Sequence, residues 1–122
     1  MKYETEKLLK VYKEHGKIIV GLDFDDTIFP LSEGSVDLCK KVKILITECQ
    51  MYSTICLYTI ADEQSLKYKL EILKLWGIRV DFVNESPIKL GNNAKPYFNI
   101  LLDDKAGLNE SYETLSQFNE KL

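Results

Sequence analysis

The chain has 122 residues, which is enough for one domain with a single hydrophobic core. Hydrophobic residues make up 45% of it and charged residues 29%, a balance that is typical of a globular chain. The net charge is −3 and Arg79 is the only arginine, so broad nucleic-acid binding, which needs a basic surface, is not expected.

Two further features bear on where the protein resides. No apolar run reaches the ~20 residues of a membrane helix, and residues 1–17 lack the apolar core of a secretory signal. Cys39, Cys49 and Cys56 are odd in number and show no CxxC spacing, which favours reduced, buried thiols over a disulfide or a zinc site. We therefore expect a cytoplasmic protein without membrane attachment.

The N-terminal half of the chain predicts a helix, a strand and a second helix. Residues 3–15 are rich in Lys and Glu with apolar residues on one side, and Gly16 follows as a helix stop. The apolar run at 17–23 predicts the first strand. After a loop that contains Pro30, apolar residues recur at spacings of three and four over 35–51, which is typical of a helix.

The C-terminal half continues the alternation of strands and helices. We predict strands at 53–59, 79–83 and 96–104, helices at 61–77 and from 112 to 122, and a turn-rich loop at 84–95. Strands separated by helices are typical of βαβ units. The sequence therefore predicts an α/β fold, a three-layer Rossmann-like domain with a mostly parallel sheet, as one domain over residues 1–122.

Polar residues follow three of the predicted strands. Asp23 follows the first strand, Thr59 the second, and Asp103 and Asp104 the fourth, with Lys95 just before the fourth. The carboxyl ends of parallel strands share one edge, where ligands bind. Clustered carboxylates need a cation or a proton, and oxygen ligands without His or Cys suit Mg²⁺. A site for Mg²⁺ and a phosphate group is therefore predicted at this edge.

Each of these residues also has an ordinary structural explanation. An Asp at a strand end is commonly a helix cap or a solvated loop residue, a Thr is a normal strand residue, and a lone Lys is commonly on the surface. The set as a whole favours a site, because all its members fall at one edge of the sheet.

Three segments of the chain resemble a known family. GLDFDDTIF (21–29) resembles the first motif of the haloacid dehalogenase-like phosphohydrolases, an apolar strand followed by DxDxT. ICLYT (55–59) resembles the second motif, a strand ending in Ser or Thr, and AKPYFNILLDDKAG (94–107) resembles the third and fourth, a lysine and then a strand ending in an acidic pair. The resemblance covers about residues 17–107, so the helix predicted at 3–15 lies outside it.

The resemblance implies a Mg²⁺-dependent phosphatase that hydrolyses a phosphate monoester through an aspartyl-phosphate. Asp23 would be the nucleophile, and Asp25 the general acid that later acts as the base. Thr27 would orient Asp25, while Thr59 and Ile60 would bind the phosphoryl group. Lys95 would offset negative charge on the nucleophile and the phosphoryl group.

The resemblance also implies a set of metal ligands. Asp23, the backbone carbonyl of Asp25 and the acidic pair would hold Mg²⁺, with Asp104 aligned to the direct ligand and Asp103 beside it. Asp26 is assigned no chemistry. Lys89 is an alternative to Lys95 as the motif lysine.

Two departures from the family bear on the substrate. Small relatives often carry an arginine after the second-motif Thr, whereas Ile60, Ala61 and Asp62 follow Thr59 here. Neither 24–58 nor 60–94 has room for an inserted cap domain. An open site predicts a phosphorylated small molecule or the terminal phosphate of a larger substrate, and a homo-oligomer is one way in which such a site is shielded.

Two other functions stay open on the sequence alone. A phosphoacceptor receiver domain has a similar length and acidic cluster, but it carries its acidic pair at the first strand and its phosphoacceptor at the third, near Asp81 here. A catalytically silent binding module of the same fold is the second alternative, since the arginine after Thr59 is missing.

Overall fold

The computed structural model describes residues 2–88 and 97–122. Within these residues it contains four α-helices, four strands and two 3₁₀ turns. In chain order they are α1 (Tyr3–His15), β1 (Ile18–Leu22), a 3₁₀ turn (Glu33–Ser35), α2 (Val36–Cys49), a 3₁₀ turn (Gln50–Tyr52), β2 (Ser53–Leu57), α3 (Glu63–Leu75), β3 (Phe82–Val83), β4 (Ile100–Leu102) and α4 (Leu108–Glu120).

The four strands form one parallel sheet in the order β3-β2-β1-β4. β1 pairs with both β2 and β4, so that Leu22 lies opposite Leu57 on one side and Leu102 on the other. The residues that follow these three strands therefore emerge at the same edge of the sheet. The predicted α/β fold with a parallel sheet is confirmed.

All four helices contribute to one hydrophobic core. Alternate residues of β1, Ile18, Val20 and Leu22, face this core and are fully buried. The buried helix residues that pack with them are Leu8, Val42, Leu45, Ile46, Cys49, Leu73, Leu108, Leu115 and Phe118.

The opposite face of the sheet is covered differently. Phe98, two residues before β4, lies there, because its ring is beside Gly21 and packs edge-to-face with Tyr58, with the ring centroids 6.1 Å apart. The layer on this face thus includes irregular chain, whereas the described helices share the core on the other face.

The intervals between β1 and β2 and between β2 and β3 are filled by the elements already named. α2 and the two 3₁₀ turns account for most of residues 24–52, and α3 for most of residues 58–81. Residues 24–52 and 58–81 therefore contain no inserted cap domain, whereas the predicted interval 60–94 extends beyond the described residues.

β3 is shorter than predicted, with two residues instead of five. Asp81 accepts a hydrogen bond from the Ile55 backbone N–H (2.8 Å) and pairs with the Arg79 guanidinium (2.7 Å). Arg79 also donates to the Ser53 carbonyl oxygen at 2.7 Å. The side chains of Arg79 and Asp81 therefore tie the start of β2 to the segment that leads into β3, and the only arginine of the chain is used there.

The cysteines agree with the prediction of buried thiols. Cys39, Cys49 and Cys56 are buried free thiols, and burial raises the pKa of both Cys49 and Cys56 to about 11. Among residues 2–88 and 97–122, no helix combines the length and the apolar character needed to cross a bilayer.

Gly21 is a position where the fold requires a small residue. A Cβ atom there would lie 3.1 Å from both Leu101 Cδ1 and Phe98 Cδ1. We expect Gly21→Val to lower the free energy of unfolding by roughly 1–3 kcal/mol, measured by urea denaturation, because Leu101 and Phe98 must shift. Gly34→Ala is the control, since nothing lies within 4 Å of its Cβ position. An equal effect of the two substitutions would contradict the close packing at Gly21.

Candidate functional site

Three carboxylates meet where β1 and β4 end. The backbone N–H of Asp23 donates to the Leu102 carbonyl oxygen (2.9 Å), which continues the β1–β4 pairing by one residue. The Asp23 carboxylate therefore lies beside the acidic pair, Asp103 and Asp104. Each of the three residues offers one oxygen, and these oxygens all lie within 4.8 Å of one another.

The Thr27 side chain contacts two of the three residues, Asp23 and Asp104. Its side chain is buried, and its Oγ1 lies 3.3 Å from Asp23 Oδ2 and 3.5 Å from Asp104 Oδ1. The same oxygen accepts a hydrogen bond from the Asp104 backbone N–H at 2.9 Å. Thr27 was predicted to orient Asp25, but its described contacts are with Asp23 and Asp104 instead, because the loop turns the Asp25 side chain toward α3.

The carboxylate cluster concentrates negative charge. Burial raises the pKa of Asp23 to about 6, with further increases from the negative charges of Asp103 and Asp104 and a decrease from the Phe24 backbone N–H. Three oxygen donors without His or Cys are the ligand type that Mg²⁺ prefers. The residues present therefore fit the predicted metal. The carboxylate of Asp25 is outside this cluster, and the predicted contribution of Asp25 was its backbone carbonyl.

A cation lies on the other side of the site. This cation is the ammonium group of Lys69, which extends from α3. Its Nζ lies 2.9 Å from Thr59 Oγ1 and 3.3 Å from Asp25 Oδ2. Sequence reasoning missed Lys69. The available signal was its place in α3, because it follows Leu66 by three residues and precedes Leu73 by four, which puts it on the apolar face of the helix.

Thr59 is held by a second neighbour. Its backbone N–H donates to Asn84 Oδ1 at 2.8 Å, and Asn84 itself adopts a left-handed backbone conformation with φ of 51°. The next residue, Ile60, has a fully exposed side chain at the edge of the site. Asn84 is thus another residue of the site that the sequence did not single out.

Most of these side chains border one open cleft of about 610 Å³, which Thr27 and Lys69 do not line. Its lining residues are Asp23, Asp25, Asp26, Leu31, Tyr58, Thr59, Ile60, Asn84, Asp103, Asp104 and Lys105. The predicted site residues Asp23, Asp25, Thr59, Ile60, Asp103 and Asp104 are therefore all brought to one cleft. Lys95 and its alternative Lys89 lie outside the described residues.

Asp26, which had no predicted role, organises the loop after β1. Its Oδ1 accepts hydrogen bonds from the backbone N–H groups of Leu31 (2.8 Å) and Ser32 (3.0 Å) and from the Ser35 hydroxyl (2.8 Å). Its backbone is left-handed, with φ of 55°. Asp26 therefore has a structural task beside the site, since it closes the loop that joins Asp25 to α2.

The chain was compared with known proteins in three ways. Comparisons with protein-family models, with curated proteins and with solved structures found no match.

The hydrogen bonds of Asp26 predict a pH-dependent contribution to stability. The N–H groups of Leu31 and Ser32 and the Ser35 hydroxyl lower the pKa of Asp26 below its ordinary value of about 4. The stabilisation is complete when the pH is above the ordinary pKa, and it is lost as the pH falls through the lowered pKa of the folded state. We expect Asp26→Asn, which tolerates the same φ, to lower the melting temperature at pH 7. The difference from wild type should shrink below about pH 4, and a gap that does not change with pH would contradict the assignment.

The raised pKa of Asp23 predicts a pH dependence of stability opposite to that of Asp26. An acid with a raised pKa in the folded state destabilises the fold as the pH rises from about 4 to about 6, and the cost stays constant above that. In EDTA, we expect Asp23→Asn to increase the free energy of unfolding at pH 7.5 by about 1–2 kcal/mol, after allowance for partial solvation. At pH 4 the variant and wild type should be nearly equal. Asp37→Asn, an exposed change on α2, is the control, and a destabilising Asp23→Asn at pH 7.5 would refute the prediction.

Proposed function

We propose that the chain is a Mg²⁺-dependent phosphatase of the haloacid dehalogenase-like type that hydrolyses a phosphate monoester. The observation that carries the proposal is the arrangement of the cleft. Asp23 lies beside the acidic pair Asp103 and Asp104, while Asp25 and Thr59 both contact the Lys69 ammonium group. The order of these residues in the chain agrees with the motifs that the sequence resembles.

In the first half of the proposed reaction, an Asp23 oxygen attacks phosphorus. The bond between phosphorus and the ester oxygen breaks, and Asp25 donates its proton to the leaving oxygen. In the second half, the Asp25 carboxylate takes a proton from a water molecule that attacks the aspartyl-phosphate. Inorganic phosphate leaves, Asp23 is free again, and Asp25 carries the proton needed for the next turnover.

The metal is assigned to the carboxylate cluster. Asp23, the acidic pair and the backbone carbonyl of Asp25 would hold Mg²⁺, with Asp104 or Asp103 as the direct ligand of the pair. When bound, Mg²⁺ would offset the negative charge of the phosphoryl group and of the carboxylates. The raised pKa of Asp23 is in keeping with this assignment, because its causes, burial first and then the negative charges of Asp103 and Asp104, are ones that a bound cation would offset.

The phosphoryl group is assigned to the middle of the cleft. The Thr59 hydroxyl and the Ile60 backbone would contact its oxygens, and Lys95 stays the proposed motif lysine that offsets its charge. Because neither described interval after β1 or β2 contains a cap, the cleft is open to solvent. We therefore propose a phosphorylated small molecule or an exposed terminal phosphate as the substrate, with shielding by the substrate itself or by a second copy of the chain.

A binding module is the second candidate function. The same carboxylates could hold Mg²⁺ and a phosphorylated ligand without turnover, and the lack of an arginine after Thr59 favours this alternative. A receiver domain is disfavoured by a specific contact. Asp81, the acidic residue nearest to the third strand, is bonded to Arg79 and to the Ile55 N–H, so its carboxylate is already used in the fold.

A turnover assay separates the candidates. We expect wild type to release phosphate from an aryl phosphate, or from a member of a panel of nucleotides and sugar phosphates, only when Mg²⁺ is present. Asp23→Asn should abolish release, and Asp25→Asn should reduce it by roughly 10²–10⁴-fold because the leaving oxygen loses its proton donor. Asp37→Asn should behave as wild type.

The contrary outcomes are distinct. Equal turnover by Asp23→Asn and wild type, or turnover unaffected by EDTA, would refute the phosphatase. Mg²⁺ binding by calorimetry without any turnover would favour the binding module, and a stable phosphoprotein without phosphate release would favour a receiver.

A further inference from the structure

Lys69 is an unusual residue in this fold. It is the only charged residue that is buried within residues 2–88 and 97–122, and its side chain is 8% exposed. Lys67 and Lys74 of the same helix are exposed. The ammonium group of Lys69 instead points inward, where it contacts Asp25 and Thr59 and lies 5.4 Å from the centre of the Phe24 ring.

Stability alone does not account for this burial. Removing an ammonium group from water costs several kcal/mol, and an ion pair repays this only when both partners are well desolvated and well placed. The Asp25 side chain is 45% exposed and its oxygen lies 3.3 Å from Nζ, so water weakens the attraction. An apolar side chain at this place on α3 would pack at a lower cost.

The contact of Lys69 with Thr59 determines what the threonine can do. An ammonium group only donates hydrogen bonds, so Thr59 Oγ1 must accept from Lys69. The backbone N–H of Thr59 is already bonded to Asn84. The hydroxyl hydrogen of Thr59 is therefore directed away from Lys69, and Thr59 borders the cleft. A phosphoryl oxygen is an acceptor that suits such a donor.

We propose that Lys69 is a positioning residue of the cleft, which holds the Asp25 carboxylate and the Thr59 hydroxyl together and leaves Thr59 to donate its hydrogen to a phosphoryl oxygen. This inference rests on the proposed phosphatase function. It also identifies a positive charge near Thr59. The residues directly after Thr59, Ile60, Ala61 and Asp62, are not cationic, but Lys69 of α3, ten residues after Thr59, places its ammonium group there.

The principal test uses Lys69→Met, which keeps the length of the side chain and removes its charge. We expect kcat/KM for the best substrate of the panel to fall at least tenfold, while the melting temperature stays equal or rises. Lys69→Arg, which keeps the charge, should recover part of the lost activity. Lys67→Met, an exposed change on the same helix, should leave both activity and melting temperature unchanged.

A double-mutant cycle tests the link to Thr59. If Lys69 acts by positioning the hydroxyl, Lys69→Met combined with Thr59→Val should lose little more activity than the worse of the two single variants. Losses that multiply would overturn the positioning role. So would a parallel loss of melting temperature and activity in Lys69→Met that Lys69→Arg restores together, since that is the behaviour of a purely structural lysine.

Phosphate binding separates this inference from the proposed function. Calorimetry with inorganic phosphate in the presence of Mg²⁺ should show at least tenfold weaker binding by Lys69→Met than by wild type and by Lys67→Met. If wild type binds phosphate in this Lys69-dependent way but turns over no substrate, the phosphatase falls while the role of Lys69 stands. If wild type turns over substrate and Lys69→Met keeps its kinetics and its phosphate affinity, the role of Lys69 is overturned.

Discussion

The site depends on the position of β1 in the sheet. β1 pairs with β2 on one side and β4 on the other, in a register that puts Leu22 level with Leu57 and Leu102. Every group that follows one of these three strands is therefore delivered to the same edge. Gly21 contributes from within β1, because it leaves room for Phe98 and Leu101, which lie on the face opposite the helical core. The chemistry at the edge of the sheet thus rests on packing within it.

Several carboxylates lie at this edge of the sheet. The loop after β1 places those of Asp23, Asp25 and Asp26 in three different environments. Asp23 is drawn into the cluster with the acidic pair, where its pKa is raised. Asp25 faces the Lys69 ammonium group, and Asp26 turns back to accept hydrogen bonds from the loop that follows it. The three carboxylates are thus directed to different places, and only those of Asp25 and Asp26 have partners that stabilise their negative charge.

The parts of the site that the sequence predicted are those carried by strand ends. Asp23, Thr59 and the acidic pair could be placed because a strand has a clear apolar signal and the residue after it has a defined location. Lys69 could not be placed in this way. A helix pattern indicates which face is buried but not which part of the neighbouring sheet that face meets, so the pattern of α3 does not indicate that Lys69 contacts Thr59 and Asp25.

The structural role of Asp26 and the short length of β3 could not be predicted, for a related reason. Both depend on side-chain hydrogen bonds to the backbone, with Asp26 bonded to Leu31 and Ser32 and Asp81 bonded to Ile55. Such bonds have no periodicity in the sequence. Apolar periodicity predicted α1, α2 and α3 to within a few residues, whereas it holds no signal for the loop after β1 or for the start of β3.

Two groups of the site are costly to bury in the free protein, the partly buried Asp23 carboxylate and the buried Lys69 ammonium group. If the cleft takes Mg²⁺ and a phosphate ester, as proposed, the cation beside Asp23 would offset the first cost, and the anion at Thr59, whose hydroxyl Lys69 contacts, would offset the second.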